Sequence, residues 1–371
     1  MEVKAFDKYE FFTGVPDSLL QPLNDWIYDT KGVGKSHIVA ANEGNAVAIA
    51  AGYHLATGKI PLVYLQNSGL GNIINPVTSL TDPKVYGIPL LFVVGWRGEP
   101  DVKDEPQHIF QGEITLSMLD NIGISYYIID KTTTEQEFNK ALRSFEEKFG
   151  QGHSCCFVVK KGVLSYENKP LYKNNYTISR EDAIKQIIKQ SEDKIIISTT
   201  GKISRELYEA RIINGQGHER DFLTVGSMGH CSSIALGIAY NTNKDVIILD
   251  GDGAALMHMG SMAVIGQSKL KNLTHIVLNN SSHESVGGMP TVAAEIDFTS
   301  IAKACGYAYS ASINSLVDID RIPIGTDGPK FIEIRVALGS RGDLLRPKES
   351  PKENKDRFKS CLLGHTGGDK K

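Results

Sequence analysis

The sequence lacks paired cysteines, a long apolar run and a strong net charge, and each absence disfavours a class of protein. Its five cysteines are scattered and none belongs to a C-x-x-C pair, which argues against a disulfide framework or a zinc site and favours a reducing cytoplasm. No stretch reaches the roughly 18 apolar residues of a membrane span, and the N-terminus shows no signal-peptide pattern. A net charge of −3 gives no global reason to expect nucleic acid or an anionic membrane as a partner. Any anionic ligand must therefore be held by local groups.

The length and the hydrophobic pattern predict two α/β domains. The 371 residues are 41% hydrophobic and 22% charged, which suits two globular domains of ordinary size. Short β-branched runs alternate with helical patterns in both halves, as in a parallel sheet covered by helices on both faces. The predicted strands are His37–Asn42, Ile60–Gln66, Pro89–Trp96, Ile124–Asp130, Cys155–Lys160, Lys194–Thr200, Phe222–Gly226, Asp245–Asp250, Leu273–Asn279 and Lys330–Val336. The predicted helices are Gly44–Thr57, Thr134–Phe149, Glu181–Gln190, Ser204–Ile213 and Ala254–Lys269.

A polar segment separates the two halves. Residues 165–178 contain Pro170 and two adjacent asparagines, which is the composition of a linker. We therefore expect a first domain over residues 1–164 and a second over residues 179–371, ending in a charged tail. Each is expected to be an open, doubly wound parallel sheet, in which ligands bind at the carboxyl ends of the strands.

Two glycine-rich segments are similar to nucleotide-binding motifs but lack essential residues. The GVGKS segment of residues 32–36 has Asp29 where a phosphate loop needs glycine, and it precedes a strand instead of following one. The turn at Gly69-Leu70-Gly71-Asn72 lacks the third glycine of a dinucleotide fingerprint. We interpret it as a tight strand-to-helix turn, which leaves open a position close to a ligand. A nucleotide triphosphatase and a nicotinamide dehydrogenase are therefore disfavoured.

The second half carries the main candidate site. Gly251-Asp252-Gly253 follows the predicted strand Asp245–Asp250, and Asn279-Asn280 closes the next predicted strand. Because neighbouring parallel strands end at the same edge of a sheet, the carboxylate and the amide can lie together. With a main-chain carbonyl they form a set of hard oxygen ligands that suits Mg²⁺ bound to a phosphate. The glycines let a backbone approach a ligand, and the helix predicted from Ala254 presents free N–H groups.

This spacing resembles the signature of the thiamin-diphosphate-dependent decarboxylases, in which GDG closes one strand and NN the next. The resemblance implies thiamin diphosphate and Mg²⁺ as cofactors, with the metal held by Asp252, Asn280 and the carbonyl of Ser282. It also implies that Met228 supports the bent cofactor between its two rings and that the Gly226 carbonyl accepts a hydrogen bond from the aminopyrimidine. The implied cofactor-binding residues are Glu43, Thr200, Gly201, Lys202, Gly226, Ser227, Met228, Gly251, Asp252, Gly253, Ala254, Asn280 and Ser282.

Glu43 is the candidate catalytic residue of the first half. It follows the predicted strand His37–Asn42 and precedes an Ala-rich helix, where a carboxylate is common without any catalytic role. Together with the motifs of the second half, it resembles the glutamate that hydrogen-bonds the pyrimidine nitrogen and activates the cofactor. In that family the two halves of one active site normally come from different subunits. The resemblance therefore implies a homodimer or a larger assembly of this chain.

The absence of a third, central domain restricts the resemblance to the two-domain members of this family. Two domains joined by a short linker are similar to the phosphonopyruvate and sulfopyruvate decarboxylases, as are the segments FFTGVPDSLL, QNSGLGN, TTGKISREL and NNSSHESVGG. The resemblance implies a small anionic 2-oxo acid as substrate and the non-oxidative decarboxylation of 3-phosphonopyruvate to phosphonoacetaldehyde and CO₂, in phosphonate biosynthesis. Sulfopyruvate is the alternative substrate. Carboligation and a catalytically silent cofactor-binding protein are competing functions, although Glu43 argues against the second.

Four residues are candidates for handling the substrate. Arg97 and His108 lie in residues 96–112, a segment predicted to be a loop at a strand's carboxyl end, where they can bind an anion or simply face solvent. His283 and Glu284 follow the metal motif and are expected to overhang the cofactor. His283 is therefore a candidate proton donor and Glu284 a candidate substrate contact. A histidine that only caps a loop is the alternative interpretation of His283.

Overall fold

A computed structural model describes residues 1–323 and 326–364, and these form two compact units. The first unit comprises Met1–Tyr172 and Ser285–Pro290. The second comprises Lys173–Glu284 and the described residues from Thr291 onward. The division after Tyr172 falls inside the irregular segment 165–178, whereas nothing in the sequence predicted that Ser285–Pro290 would belong with the first unit.

The first unit is built on a six-stranded parallel sheet. Its strands are β1 (Phe12–Gly14), β2 (His37–Val39), β3 (Leu62–Gln66), β4 (Leu91–Gly95), β5 (Ser125–Ile129) and β6 (Cys155–Val159). Its helices are α1 (Gln21–Lys31), α2 (Glu43–Thr57), α3 (Leu70–Pro76), α4 (Pro106–Asn121) and α5 (Glu135–Phe149). The strand order is β2-β1-β3-β4-β6-β5, so the chain reverses its direction across the sheet between β1 and β3. Ligands of doubly wound sheets bind at this switch point.

Side chains of the central strands alternate between two apolar layers. Leu62 and Tyr64 pack into one buried cluster, whereas Val63 and Leu65 pack into the cluster on the other face of the sheet. This arrangement explains the continuous apolar runs of the sequence, because a strand covered by helices on both faces has no side that faces water.

The second unit repeats the strand order of the first. The strands that follow in the chain are β7 (Ile195–Ser198), β8 (Asp221–Leu223), β9 (Val246–Gly251), β10 (Leu273–Asn279), the two-residue strands β11 (Ser282–His283) and β12 (Met289–Pro290), β13 (Tyr309–Ile313) and β14 (Lys330–Arg335). The helices are α6 (Arg180–Lys189), α7 (Lys202–Ile213), α8 (Cys231–Ala239), α9 (Asp252–Met257), α10 (Gly260–Ser268), α11 (Phe298–Cys305), α12 (Leu316–Ile319) and α13 (Pro351–Leu362). The six-stranded parallel sheet has the order β8-β7-β9-β10-β14-β13. β7, the first of these strands along the chain, lies between β8 and β9 in the sheet, as β1 lies between β2 and β3 in the first unit. The switch point of the second sheet is therefore between β7 and β9.

The two parallel sheets confirm the predicted α/β fold class, but several elements differ from the prediction. The short strands β1 and β13 were missed. Three residues are too few to show a strand pattern, and the Ser-Ala-Ser run of β13 is polar. The single helix predicted over Ala254–Lys269 was wrong, since the chain there forms α9 and α10 with a break at His258 and Met259. The predicted loop 96–112 was also wrong in its second half, where α4 begins at Pro106.

All five cysteines are unpaired thiols. Cys155, Cys156 and Cys231 are buried, and burial raises the pKa of Cys155 to about 12. These thiols are therefore protonated and behave as small apolar side chains. Within residues 1–323 and 326–364, no helix has both the length and the apolar character needed to cross a membrane.

Candidate active site

Asp252 and Asn280 lie at the same edge of the second sheet, as their positions after neighbouring strands predicted. Gly251 of β9 is in register with Leu278 of β10. Asp252 comes directly after Gly251, and Asn280 comes two residues after Leu278. The Asp252 carboxylate accepts a hydrogen bond of 2.5 Å from the Thr291 hydroxyl, and the backbone N–H of Asn280 also bonds to it. The structure therefore brings the GDG and NN motifs into direct contact.

Burial dominates the electrostatics of Asp252. It raises the pKa of this carboxyl group to about 7, although the Thr291 hydroxyl and the N–H groups of Asn280 and Gly253 oppose the rise. A divalent cation at this position would favour the ionised carboxylate and offset the cost of its burial. The side-chain amide oxygen of Asn280 (Oδ1) accepts a hydrogen bond of 3.1 Å from the Ser282 N–H, which folds the following loop back toward the same edge. The buried oxygen atoms present therefore fit the predicted Mg²⁺ site.

Glu284 connects the predicted metal loop to the predicted diphosphate loop. One carboxylate oxygen accepts from the Lys202 ammonium at 2.8 Å, and the other accepts from the Asn280 amide at 2.7 Å. Arg180 donates to Glu284 at 2.7 Å and forms a bidentate pair with Glu206 at 2.7 and 2.8 Å. Burial opposes ionisation of Glu284, but Arg180 and Lys202 hold its pKa below the usual range. These partners were not predicted, and the suggested contact of Glu284 with substrate stays a prediction.

Met228 and His283 both lie next to Gly253. A Cβ atom at Gly253 would lie 3.0 Å from the His283 imidazole and 3.3 Å from the Met228 methyl group. Ser227 has a φ of +53°, a left-handed conformation that few side chains adopt, so the turn before Met228 is strained. Burial lowers the pKa of His283 to about 4, and its imidazole is neutral near pH 7. A neutral imidazole is a weak acid, which disfavours His283 as the proton donor.

Most of the remaining predicted cofactor residues follow the neighbouring strands β7 and β8, whereas Ala254 follows β9. Thr200 donates a hydrogen bond of 2.8 Å to the Val225 carbonyl, which joins the loop after β7 to the residue before Gly226. Gly201 has a φ of +93° and immediately precedes α7, whose first residue is Lys202. Ala254 is buried in the first turn of α9. The predicted diphosphate and aminopyrimidine segments therefore lie side by side in the second unit.

Glu43 is buried at the start of α2 in the first unit, with only 5% of its surface exposed. The Asn72 amide donates a hydrogen bond of 2.6 Å to its carboxylate. A Cβ atom at Gly69 would lie 2.5 Å from the same carboxyl group. The glycine-rich turn of residues 69–72 therefore contacts the candidate catalytic residue, a role that its incomplete dinucleotide fingerprint did not reveal.

A second polar cluster occupies the switch point of the first sheet. Asp17 follows β1 and is fully buried, and its carboxylate accepts a hydrogen bond of 2.6 Å from the Gln66 amide at the end of β3. Burial raises the pKa of Asp17, although Gln66 and Arg97 oppose the rise. The sequence analysis did not select Asp17, because a carboxylate after a three-residue strand matches no motif spacing.

Arg97 and His108 lie beside this cluster, but Arg97 is already paired with a carboxylate and His108 is uncharged near pH 7. Arg97 forms a bidentate ion pair with Asp104, at 2.8 and 2.5 Å, and donates to the Ser18 hydroxyl at 3.0 Å. Burial and the Arg97 charge lower the pKa of His108 to about 4, so its imidazole is neutral near pH 7. His108 also lies in the first turn of α4 and not in a loop. Their contact with the substrate anion stays a prediction.

Both units match sequence patterns of known enzymes. Residues 7–123 match the pattern described as thiamine pyrophosphate enzyme, N-terminal TPP binding domain. Residues 200–334 match the one described as thiamine pyrophosphate enzyme, C-terminal TPP binding domain. The first match includes Glu43, and the second includes Asp252 and Asn280.

Individual proteins are similar over nearly the whole chain. A phosphonopyruvate decarboxylase of Streptomyces viridochromogenes is 34% identical over 380 residues, covering 96% of this chain and 92% of that protein. A sulfopyruvate decarboxylase of Methanosarcina acetivorans is 31% identical over 349 residues, covering 88% of each chain. The sulfopyruvate decarboxylase subunit beta of Methanococcus maripaludis is 32% identical over 187 residues, which is 50% of this chain and 98% of that protein.

Proposed function

The chain belongs to the thiamine pyrophosphate enzymes as a 2-oxo acid decarboxylase, and we propose that its substrate is phosphonopyruvate. The products would be CO₂ and phosphonoacetaldehyde, an aldehyde that phosphonate biosynthesis can use. The supporting observation is the similarity to a phosphonopyruvate decarboxylase along 96% of the chain. Sulfopyruvate is the second candidate, because a sulfopyruvate decarboxylase is only slightly less similar, at 31% identity.

The second unit is proposed to hold the diphosphate group through Mg²⁺. Asp252, the Asn280 side chain and the Ser282 carbonyl would bind the metal, and the buried Asp252 carboxylate supports this assignment. Lys202, beside Thr200 and Gly201, would contribute a positive charge toward the diphosphate. Thiamin diphosphate supplies the electron sink that a 2-oxo acid needs when it loses CO₂.

The first unit is proposed to activate the cofactor through Glu43. This carboxylate would share a proton with the pyrimidine ring nitrogen. The orientation of the carboxyl group matters, because a proton is transferred only between atoms within hydrogen-bonding distance. The Asn72 amide, 2.6 Å away, and the closely packed Gly69 hold the carboxyl group in one position. Arg97 and His108 remain the proposed contacts of the substrate anion.

The active site is proposed to form between two copies of the chain, with Glu43 from one and Asp252 from the other. The relative that covers half of this chain is named as a subunit, which supports an assembly. Mixing two inactive variants, Glu43→Gln and Asp252→Asn, tests the arrangement. A mixed dimer would contain one site with both residues intact, so activity should return. If both variants are folded and have exchanged subunits but the mixture stays inactive, the active site does not form between two copies of the chain.

The substrate is tested by supplying phosphonopyruvate, sulfopyruvate and pyruvate separately to the purified protein with thiamin diphosphate and Mg²⁺. Aldehyde formation is followed through a coupled dehydrogenase, and acetolactate is measured as the product of carboligation. We expect the highest kcat/KM with phosphonopyruvate. A preference for sulfopyruvate would replace the proposed substrate, and acetolactate formation from pyruvate without aldehyde would replace the proposed reaction.

A further inference from the structure

A cavity of about 50 Å³ lies at the amino ends of strands in the second sheet. This is the opposite end of β9 and β10 from Asp252 and Asn280. One wall is apolar and consists mainly of Ile187, Ile247, Ile276 and Ile319. Lys330, the first residue of β14, contributes to the polar side, so we refer to this space as the Lys330 cavity.

Lys330 is a largely buried side chain whose ammonium has no direct partner. The residue is only 6% exposed, yet its ammonium forms no hydrogen bond or ion pair with any residue in the described part of the chain. Burial and the nearby Lys194 lower the pKa of Lys330, and the opposing effect of Asp245 is smaller than that of burial. Asp245 is itself exposed at the cavity. A partly buried ammonium loses part of its hydration, and an anion in the cavity would compensate for that loss.

Thr274 supplies a second donor beside Lys330. The two residues are in register on the neighbouring strands β10 and β14, and Thr274 is also in register with Ile247 on β9. Directly opposed residues on adjacent strands point to the same face of a sheet, so an ammonium, a hydroxyl and an isoleucine line the cavity together. The cavity therefore combines a cationic end with an apolar wall.

We propose that the Lys330 cavity binds a short-chain monocarboxylate, with its carboxylate on Lys330 and Thr274 and its alkyl group against the isoleucines. A lysine and a carboxylate form a charge-assisted hydrogen bond. The apolar wall favours an alkyl group over a fully hydrated inorganic anion. A cavity of 50 Å³ accommodates on the order of four water-sized groups, which matches propionate and is too small for a nucleotide. The site is independent of the proposed decarboxylation, since it lies away from the Asp252 edge.

Calorimetric titration of propionate into the full-length protein, with thiamin diphosphate and Mg²⁺ present, tests this site. We expect saturable binding with a Kd of about 1 mM, as suits so small a ligand. Lys330→Met keeps the length of the side chain but removes its charge, and should weaken binding at least tenfold. Lys271→Met is the matched control, because Lys271 lies just before β10 with its side chain 69% exposed, and should bind propionate normally.

Thr274→Val provides a second variant that removes only the hydroxyl donor, and it should also weaken binding. The proposal is overturned if propionate does not saturate the protein, or if Lys330→Met binds it as tightly as the unmodified chain. It is also overturned if inorganic phosphate binds in the cavity in preference to propionate. If propionate competes with thiamin diphosphate, it binds at the Asp252 edge of the sheet and not in the Lys330 cavity, and the proposal is also overturned.

Discussion

Gly69 leaves the space that the carboxyl group of Glu43 occupies, because a Cβ atom at position 69 would lie 2.5 Å from that group. Gly69 ends the short turn after β3, whereas Glu43 begins α2 after β2. A turn that follows one strand therefore shapes the environment of the candidate catalytic group that follows another.

Replacing Gly69 by alanine should displace the Glu43 carboxylate and lower kcat by on the order of 100-fold, the effect of a misplacement of about 1 Å. Gly71→Ala is the matched control, because a Cβ atom at Gly71 meets nothing within 4 Å. The measurement is kcat at saturating thiamin diphosphate for both variants. If Gly69→Ala is as active as Gly71→Ala, this packing does not matter for catalysis.

Glu284→Gln should both destabilise the second unit and weaken the binding of cofactor and Mg²⁺. A neutral amide has a single acceptor oxygen and cannot satisfy Lys202, Arg180 and Asn280 together. It also leaves Glu206 as the carboxylate partner of the buried Arg180. We expect a loss of about 2 kcal/mol in the free energy of unfolding and a 10- to 100-fold weaker metal affinity, as for other residues that position ligands.

Scanning calorimetry measures the stability of this variant, and titration calorimetry measures its affinities. Glu219→Gln is the control, since the Glu219–Arg220 pair is 40% and 34% exposed and should contribute little. A Glu284→Gln protein with unchanged stability and unchanged metal affinity would show that this network is dispensable.

His37 should make the stability of the first unit depend on pH. Burial lowers the pKa of His37 to about 4, and its two ring nitrogens lie 2.7 Å from the Gly32 carbonyl and 2.7 Å from the Tyr64 hydroxyl. The unfolded chain binds a proton at His37 below a pH of about 6.5, whereas the folded chain does not until a pH of about 4. The free energy of unfolding should therefore fall as the pH decreases through this window, by at most on the order of 3 kcal/mol.

Urea unfolding at pH 7 and pH 5 tests the effect of His37. Both tryptophans of the chain, Trp26 and Trp96, belong to the first unit, so tryptophan fluorescence reports on that unit alone. His37→Gln should reduce the difference in stability between the two pH values, and His54→Gln, at a half-buried position in α2, should preserve it. An unchanged pH dependence in His37→Gln would assign the effect to other groups.

The fold was largely predictable because most strands are buried on both faces and carry continuous apolar runs. Val63 and Tyr64 show this, since they enter opposite apolar layers from adjacent positions. Strand β1 was not predictable in this way, although it is an interior strand of the first sheet, between β2 and β3. Its three residues take their strand conformation from pairing with β2 and β3, which are distant in the sequence.

The sequence predicted the candidate-site residues that belong to a motif of fixed spacing. It did not predict the contacts between residues that are distant in the sequence and come together only in the folded chain. Asp252 and Asn280 close neighbouring strands at a fixed separation, so the sequence alone places them together. Asp17 with Gln66 and Arg180 with Glu284 come from separate elements, and no local pattern relates them. Charge was harder still to predict, because the neutral state of His108 depends on burial and on Arg97.

The rate of phosphonopyruvate decarboxylation by Glu43→Gln, at saturating thiamin diphosphate and Mg²⁺, tests the central claim most directly. The exposed Glu113→Gln in α4 is the control, and the Kd of thiamin diphosphate is measured for both variants. We predict a loss of about 10²- to 10⁴-fold in kcat for Glu43→Gln alone, the usual contribution of a positioned acid or base. If the unmodified chain decarboxylates phosphonopyruvate rapidly and Glu43→Gln does so at the same rate, Glu43 is not the activating residue.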